Sequence, residues 1–363
     1  MKIFIRADSS GRIGGGRVTR CLTLAERLRR DGCDVTFISR ELPGNILPMV
    51  ESRGFRLRRL PFLSEDETGY EGCLGADWRT DAEETIEALK AAGGADWVIV
   101  DHYSLDWKWE SEMRPHTGQV MVIDDLADRR HDCDLLLDQN LHDLPGAGYD
   151  SLLPDGCVKL LGPRYALLRD IFVEARKYIT RPGREARRVL VSFEGADPTG
   201  ETIKCIEALR MLDRPGLCVD VVTEESNPMD GRIKSLCGSL PGFTHSCQAH
   251  RMPELMLKAD IAIGAAGTAA WERCCLGLPS IVVAVAAGQT EGAKALAERD
   301  MAVNLGWHED VKPEKVRAAA EWLLGDPRKR MQLSENGINI VDGAGTDRVA
   351  LIVRYKRDSV SAI

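Results

Sequence analysis

No stretch of this 363-residue chain is long and apolar enough to span a bilayer; its longest purely apolar run covers only residues 281–287. None of its eleven cysteines stands in a CxxC. The count is odd, and apart from Cys274-Cys275 the thiols are scattered, which speaks against a disulfide framework and for reduced thiols. The opening MKIFIRAD runs straight into a strand-like pattern with no targeting segment, so a cytoplasmic protein with no membrane partner is expected. A Walker A lysine is absent, and so is the dinucleotide GxGxxG spacing with an acidic residue ending the second strand. A net charge of −8 argues against a general nucleic-acid surface but leaves room for a local basic pocket that takes a phosphorylated metabolite.

What is there is enough for two cores. A hydrophobic content of 44% and a charged content of 29% describe a globular chain, and the length predicts two domains. Strand-like runs at 2–7, 34–39, 96–101, 119–124 and 134–139 alternate with amphipathic stretches at 20–30 and 81–92, the signature of βαβ units and a parallel sheet. The pattern pauses at the basic, Pro-Gly-containing 176–188 and restarts with strands at 188–196, 217–223, 260–266 and 279–285. A helix is expected from 201 to 212 and another at 269–277. The expectation is an N-terminal Rossmann-like domain over 1–175, a linker over 176–188, a C-terminal Rossmann-like domain over 189–345 and a closing helix over 346–363. Two such domains facing across a cleft suit a ligand held between the carboxyl ends of both sheets.

Three strand-to-helix turns look ready for an anion. The first carries Gly11, Gly14, Gly15 and Gly16 ahead of a helix that begins with arginines. Glycines there let backbone N–H groups approach an anion at the positive end of a helix. The second, SFEGADPTGET, contains Gly195, Thr199 and Gly200. The third places Gly267-Thr268 at a helix start with Glu272 one turn in, where amides 267–269 and the Thr268 hydroxyl would take a diphosphate and Glu272 a ribose. The plain alternative for Glu272 is a solvated acid near a helix N-terminus.

The run Gly267-Thr268, Trp271-Glu272, Gly277 and Pro279, followed by Gln289, resembles the nucleotide-sugar signature of GT-B glycosyltransferases of the MurG type. The segments RADSSGRIGGG, VDHYSLDWKWE, VIDDLADRRHDCDLLLDQN and GPRYALLRDIF narrow the resemblance to the PseG/SpsG-like UDP-2,4-diacetamido-2,4,6-trideoxy-β-L-altropyranose hydrolases of pseudaminic acid biosynthesis. The resemblance implies a GT-B fold, UDP on the C-terminal domain and the sugar under the first glycine loop. It implies hydrolysis by water at the anomeric carbon with inversion, without metal or organic cofactor. By position, Gly14, Gly16, Gly195, Gly267, Thr268, Glu272 and Gln289 would bind substrate, and Tyr103 would sit by the reacting centre. A monomer or weak homo-oligomer is expected.

One residue breaks the pattern. The family's loop ends G-x-G-H, and that histidine is the presumed base for the attacking water; here Gly16 is followed by Arg17. A histidine near neutral pKa takes a proton from water, whereas a guanidinium stays protonated and is no base. Three readings follow. Arg17 is a substitution, natural or introduced, that disables the base; or it binds the phosphate or carboxylate of a different ligand; or the base is elsewhere, with Asp8, His102 and Tyr103 as candidates at strand ends. His102 also reads as a satisfied histidine at a strand terminus, and Asp8 as a residue that orients the loop. Glu194, where the family has glycine, and Ala269-Ala270, which replace more polar residues, are smaller departures. The runner-up functions are a GT-B transferase and a non-catalytic nucleotide-sugar binder.

Other features read as structural. Trp107 and Trp109 belong to packing and surface, and Cys274-Cys275 to a buried helix. His131 and Cys133 make a poor metal site without a second pair of ligands. Asp347 and Arg348 are solvated or clamp the two domains.

Overall fold

The structure, a computed structural model, describes residues 1–63, 74–141, 148–180, 185–193, 195–212, 214–247 and 251–355. The N-terminal half runs β1 (Lys2–Ala7), α1 (Gly16–Arg30), β2 (Asp34–Arg40), α2 (Leu47–Ser52), β3 (Arg56–Leu60), α3 (Trp78–Ala91), β4 (Ala95–Asp101), α4 (Trp107–Met113), β5 (Thr117–Ile123), β6 (Leu135–Asp138) and β7 (Val158–Leu161), and then α5 (Asp170–Arg176). The C-terminal half runs β8 (Arg188–Ser192), α6 (Glu201–Arg210), β9 (Cys218–Thr223), α7 (Asp230–Ser239), β10 (Phe243–Cys247), α8 (Met252–Lys258), β11 (Ile261–Ala265), α9 (Thr268–Cys275), β12 (Ser280–Ala284), α10 (Thr290–Glu298) and β13 (Val303–Trp307). Three helices follow: α11 (Pro313–Gly325), α12 (Pro327–Ile340) and α13 (Gly345–Tyr355).

The strands form two sheets, ordered β3-β2-β1-β4-β5-β6-β7 and β10-β9-β8-β11-β12-β13. Every pairing within them is parallel. Each order reverses direction once, beside β1 and beside β8, which puts a topological switch point at the carboxyl ends of those strands.

The first sheet is covered on both faces, and the period of two decides which residue goes where. Ile3, Ile5 and Ala7 of β1 join Trp97 and Ile99 of β4 in a core under α1 and α13, while Phe4, Val98 and Val100 face the opposite core with α3 and α4. In the second half, Val189, Val191, Val219, Val221, Ile261 and Ile263 bury against α6 and α11.

The chain divides into two compact units, Met1–Asn140 with Leu144–Leu167 and Gly345–Ile363, and Leu168–Ala344 with Leu141–Asp143. The division falls at Leu167–Leu168, ahead of the 176–188 stretch expected as the linker, because α5 packs on α8 and α9 of the second unit. Arg176 at the end of α5 fixes this by donating to the carbonyls of Cys275, Ile338 and Val341 at 2.6, 2.9 and 3.0 Å. Residues 181–184 of that stretch lie outside the described residues.

The closing helix α13 belongs to the first unit. Its Val349, Ala350 and Val353 enter the core beside Leu24 and Leu28 of α1. Asp347 pairs with Arg27 and Arg348 donates to the Arg164 carbonyl at 2.8 Å, so both residues tie α13 to its own unit. Among the described residues no helix is long and apolar enough to cross a membrane.

Candidate active site

The loop after β1 is shaped by its own hydrogen bonds. Ser10 Oγ accepts from the amides of Arg12 and Ile13, both at 3.2 Å, and the Ser10 carbonyl accepts from Gly14 at 2.9 Å. Gly14 closes this turn at φ +72°, in the left-handed region that favours glycine. Helix α1 then starts with no side chain capping it and no acid in its first turn. Its positive end is therefore not neutralised from within, and Arg17 adds a guanidinium to that end.

Asp8, offered by the sequence as a base, is instead the anion of a buried lattice. Arg6 donates to both of its oxygens, at 2.5 and 2.8 Å, and the Arg40 amide donates to Oδ1 at 2.7 Å. Asp81 of α3 completes the lattice by accepting from Arg6, from Arg40 at 2.8 Å and from the Trp109 indole at 3.0 Å. Burial raises the Asp8 carboxyl, but Arg6 and then His102 outweigh it and hold it well below the usual carboxylate range. An acid that weakly basic, and fully buried, is a poor acceptor for a water proton.

His102 is placed just as firmly. Its Nδ1 accepts from the Ser104 amide at 3.1 Å, which puts the proton of the neutral ring on Nε2. That atom lies 3.3 Å from Asp8 Oδ2, close enough for attraction though outside hydrogen-bond geometry. Burial lowers the His102 pKa and the Asp8 charge only partly restores it. The acceptor nitrogen is taken by the Ser104 amide, so the neutral ring has no lone pair left for water.

Beyond these, one cluster gathers at the ends of β4 and β5. The Arg17 guanidinium lies over the Tyr103 ring, 4.0 Å from its centroid, and the Tyr103 hydroxyl donates to Asp125 Oδ1 at 2.5 Å. Burial, then the neighbouring Asp125, push the phenol up, so Tyr103 stays a donor. Arg20 binds Asp101 with two hydrogen bonds of 2.6 and 2.7 Å and reaches Asp125 Oδ2 only at 3.4 Å. Burial raises the Asp125 carboxyl, and Arg20 and Tyr103 do not fully offset it. Sequence reasoning missed Asp125, yet a signal existed: the acidic doublet Asp124-Asp125 ends a parallel strand, where ligands of such sheets sit.

In the second unit the two remaining turns differ. Asp197, at φ +45°, accepts from the amides of Glu201 and Thr202 at 3.0 and 2.9 Å. A carboxylate of the chain itself thus takes the first amides of α6, behind the turn with Gly195, Thr199 and Gly200. Glu194 lies outside the described residues. Helix α9 is different, for its N-cap Gly267 brings no side-chain cap and its first turn holds no acid. Glu272, one turn behind Thr268, accepts from Arg169 at 3.1 Å, and burial raises its carboxyl while Arg169 works against that. Beneath them Gly264 allows a close approach, since a Cβ there would lie 2.4 Å from the Ser192 carbonyl and 2.9 Å from Arg273. Gln289 turns its side chain back to the Val285 amide at 3.1 Å and heads α10.

His131 and Cys133 do not meet. His131 Nδ1 contacts Glu110 at 2.7 Å and Cys133 faces the Cys157 thiol at 3.5 Å. Among the described residues no group of three or more His, Cys, Asp or Glu is arranged to hold a metal ion. Trp109 is buried on Asp81, and Trp107 lies exposed under Arg130.

The two sheets, with their matching switch points, recur in a solved structure. Acinetobacter baumannii MurG superposes with a TM-score of 0.70 over 97% of this chain and 99% of that one, at 13% identity. The fold is GT-B. Two curated proteins are also similar in sequence to this GT-B chain. The spore coat polysaccharide biosynthesis protein SpsG of Bacillus subtilis is 29% identical over 194 residues, 53% of this chain and 57% of SpsG. The UDP-2,4-diacetamido-2,4,6-trideoxy-β-L-altropyranose hydrolase of Campylobacter jejuni is 29% identical over 177 residues, 49% of this chain and 55% of that enzyme. The chain thus matches little more than half the length of each. No protein-family model matches it.

Proposed function

We propose that the protein hydrolyses a UDP-linked 2,4-diacetamido-2,4,6-trideoxy sugar at its anomeric C–O bond, with inversion, releasing UDP and the free sugar for pseudaminic acid biosynthesis. The observation that carries this reading is the start of α9. Its uncapped amides and Thr268 suit a diphosphate, and Glu272, held by Arg169 one turn behind, suits a ribose. The similarity to the Campylobacter hydrolase supports the sugar and the reaction. In this reading Gly14 and Gly16 border the sugar, with Arg17 and Tyr103 beside the reacting carbon and Gln289 on the sugar side of the second unit.

A second reading is favoured by one residue. Arg17 cannot take a proton from water, and a chain that had lost its base would bind the nucleotide sugar without turning it over. UDP release from UDP-2,4-diacetamido-2,4,6-trideoxy-β-L-altropyranose, followed for this chain and for Arg17→His, separates the two. Release by the parent chain favours the hydrolase. Tight UDP binding with release only from the histidine variant marks a disabled base, and binding without release from either marks a binding protein.

A further inference from the structure

We infer that Asp125 is the general base that deprotonates the attacking water, in place of the histidine absent from position 17; this rests on the hydrolase reading above. The other acids at the carboxyl ends of β1, β4 and β5, with His102 and Tyr103, are engaged elsewhere. Asp8 is fully buried and receives Arg6 on both oxygens as well as the Arg40 amide. His102 has its free nitrogen on the Ser104 amide. Asp101 is buried and gripped by Arg20 through two short hydrogen bonds, with the Cys21 thiol at 3.5 Å. Asp124 is buried, pairs with Arg129 at 2.7 Å and accepts from the amides of Leu126 and Ala127 and from Tyr149. Tyr103 is a donor in its only neutral form.

Asp125 differs from all of them. Its side chain keeps 13% of its surface exposed, and among the described residues its Oδ2 has only the distant Arg20 contact at 3.4 Å. Oδ1 is oriented by the Tyr103 hydroxyl, and that ring is in turn covered by Arg17. One oxygen is therefore fixed and the other is available, the arrangement a base needs to meet a water in a defined direction. Burial also makes this carboxylate a better proton acceptor than an ordinary aspartate.

The step balances without further reagents. The water oxygen forms a bond to the anomeric carbon as the bond from that carbon to the β-phosphate oxygen breaks, and the bonding pair leaves with UDP. Asp125 takes the proton the water loses and returns it to solvent. Arg17 acts here as a positioning residue, through the Tyr103 ring.

The test measures UDP release by the full chain and by Asp125→Asn and Asp125→Glu, with UDP binding followed by calorimetry in each. The expected result is a loss of about 100-fold or more in kcat for Asp125→Asn with UDP binding retained. Azide, which attacks without being deprotonated, should restore UDP release and yield the inverted glycosyl azide. Asp125→Glu should keep part of the activity with a displaced acid limb in its pH profile. Activity of Asp125→Asn within about threefold of the parent overturns the assignment of the base while leaving the hydrolase reading intact. So does a loss in Asp125→Asn that azide does not restore, because it marks a structural role. A parent chain that binds UDP but releases none from the sugar nucleotide overturns the hydrolase reading, and the base falls with it.

Discussion

Arg17 lies over Tyr103, 4.0 Å from the ring centroid, and the hydroxyl at the far end of that ring donates a hydrogen bond to Asp125. The residue that departs from the family pattern is thus tied to the site through an aromatic face, with no carboxylate as its partner in an ion pair among the described contacts. A half-exposed cation on a ring is worth about 0.5–1 kcal/mol. Arg17→Ala is therefore expected to leave the unfolding free energy within about 1 kcal/mol of the parent and to act on turnover instead. Urea unfolding followed by circular dichroism checks this, and a markedly larger loss would show that the stacked pair is part of the scaffold.

Asp81 carries the opposite expectation. It accepts from two buried guanidinium groups and an indole, and its side chain is wholly buried. Removing one partner of such a lattice leaves uncompensated buried charge, at about 3–5 kcal/mol. Asp8 still pairs with Arg6 and Glu84 with Arg40, so Asp81→Ala should fall near the lower figure. The urea midpoint reports it; a change below about 1 kcal/mol would mean the two arginines find water on relaxing.

The strands named from the sequence are the interior ones, and the four it did not name, β3, β7, β10 and β13, are the four sheet edges. An edge strand is paired on one side and partly exposed, so RLRRL of β3 and FTHSC of β10 carry no continuous apolar run to find. The same logic governs the site. Glycines and helix starts were legible because turn chemistry is local. Whether a turn is open depends on partners further along the chain. Asp197 closes the α6 turn from four residues away, and Asp8 is claimed by Arg6 two residues before it and by the Arg40 amide 32 residues on. Asp125 stood in a quoted motif, but its availability emerges only when Asp8, Asp101 and Asp124 are seen to be engaged.

Glu272 gives a pH dependence with a definite sign. Burial raises its carboxyl above the ordinary glutamate value, and Arg169 pulls it back. If the carboxylate holds a ribose, UDP affinity weakens as pH falls through that raised pKa, starting above the ordinary 4.3 or so. Arg169→Ala removes the opposing charge, so the onset should move to higher pH and UDP should bind about tenfold more weakly at neutral pH. Calorimetric titration of UDP between pH 5 and 8 measures both, and an affinity flat in pH for both chains would remove Glu272 from the nucleotide.

His102 offers a stability test that needs no substrate. It is buried beside Asp8 with its pKa lowered, so the folded state resists the proton that the unfolded chain accepts near pH 6.5. A folded pKa below the unfolded one means that this part of the stability is present above pH 6.5 and is lost as pH falls toward the folded value. Between pH 7.5 and 5.5 the loss from this one group is about 1.4 kcal/mol at most. His102→Gln retains an acceptor for the Ser104 amide but does not titrate. It should be less stable than the parent at pH 7.5, where a packed ring is exchanged for a flexible amide, and the gap should narrow by pH 5.5. Urea unfolding of both chains at the two pH values gives the difference directly. A constant gap would mean that the folded ring takes up its proton as readily as the unfolded one, with Asp8 rather than burial setting its charge.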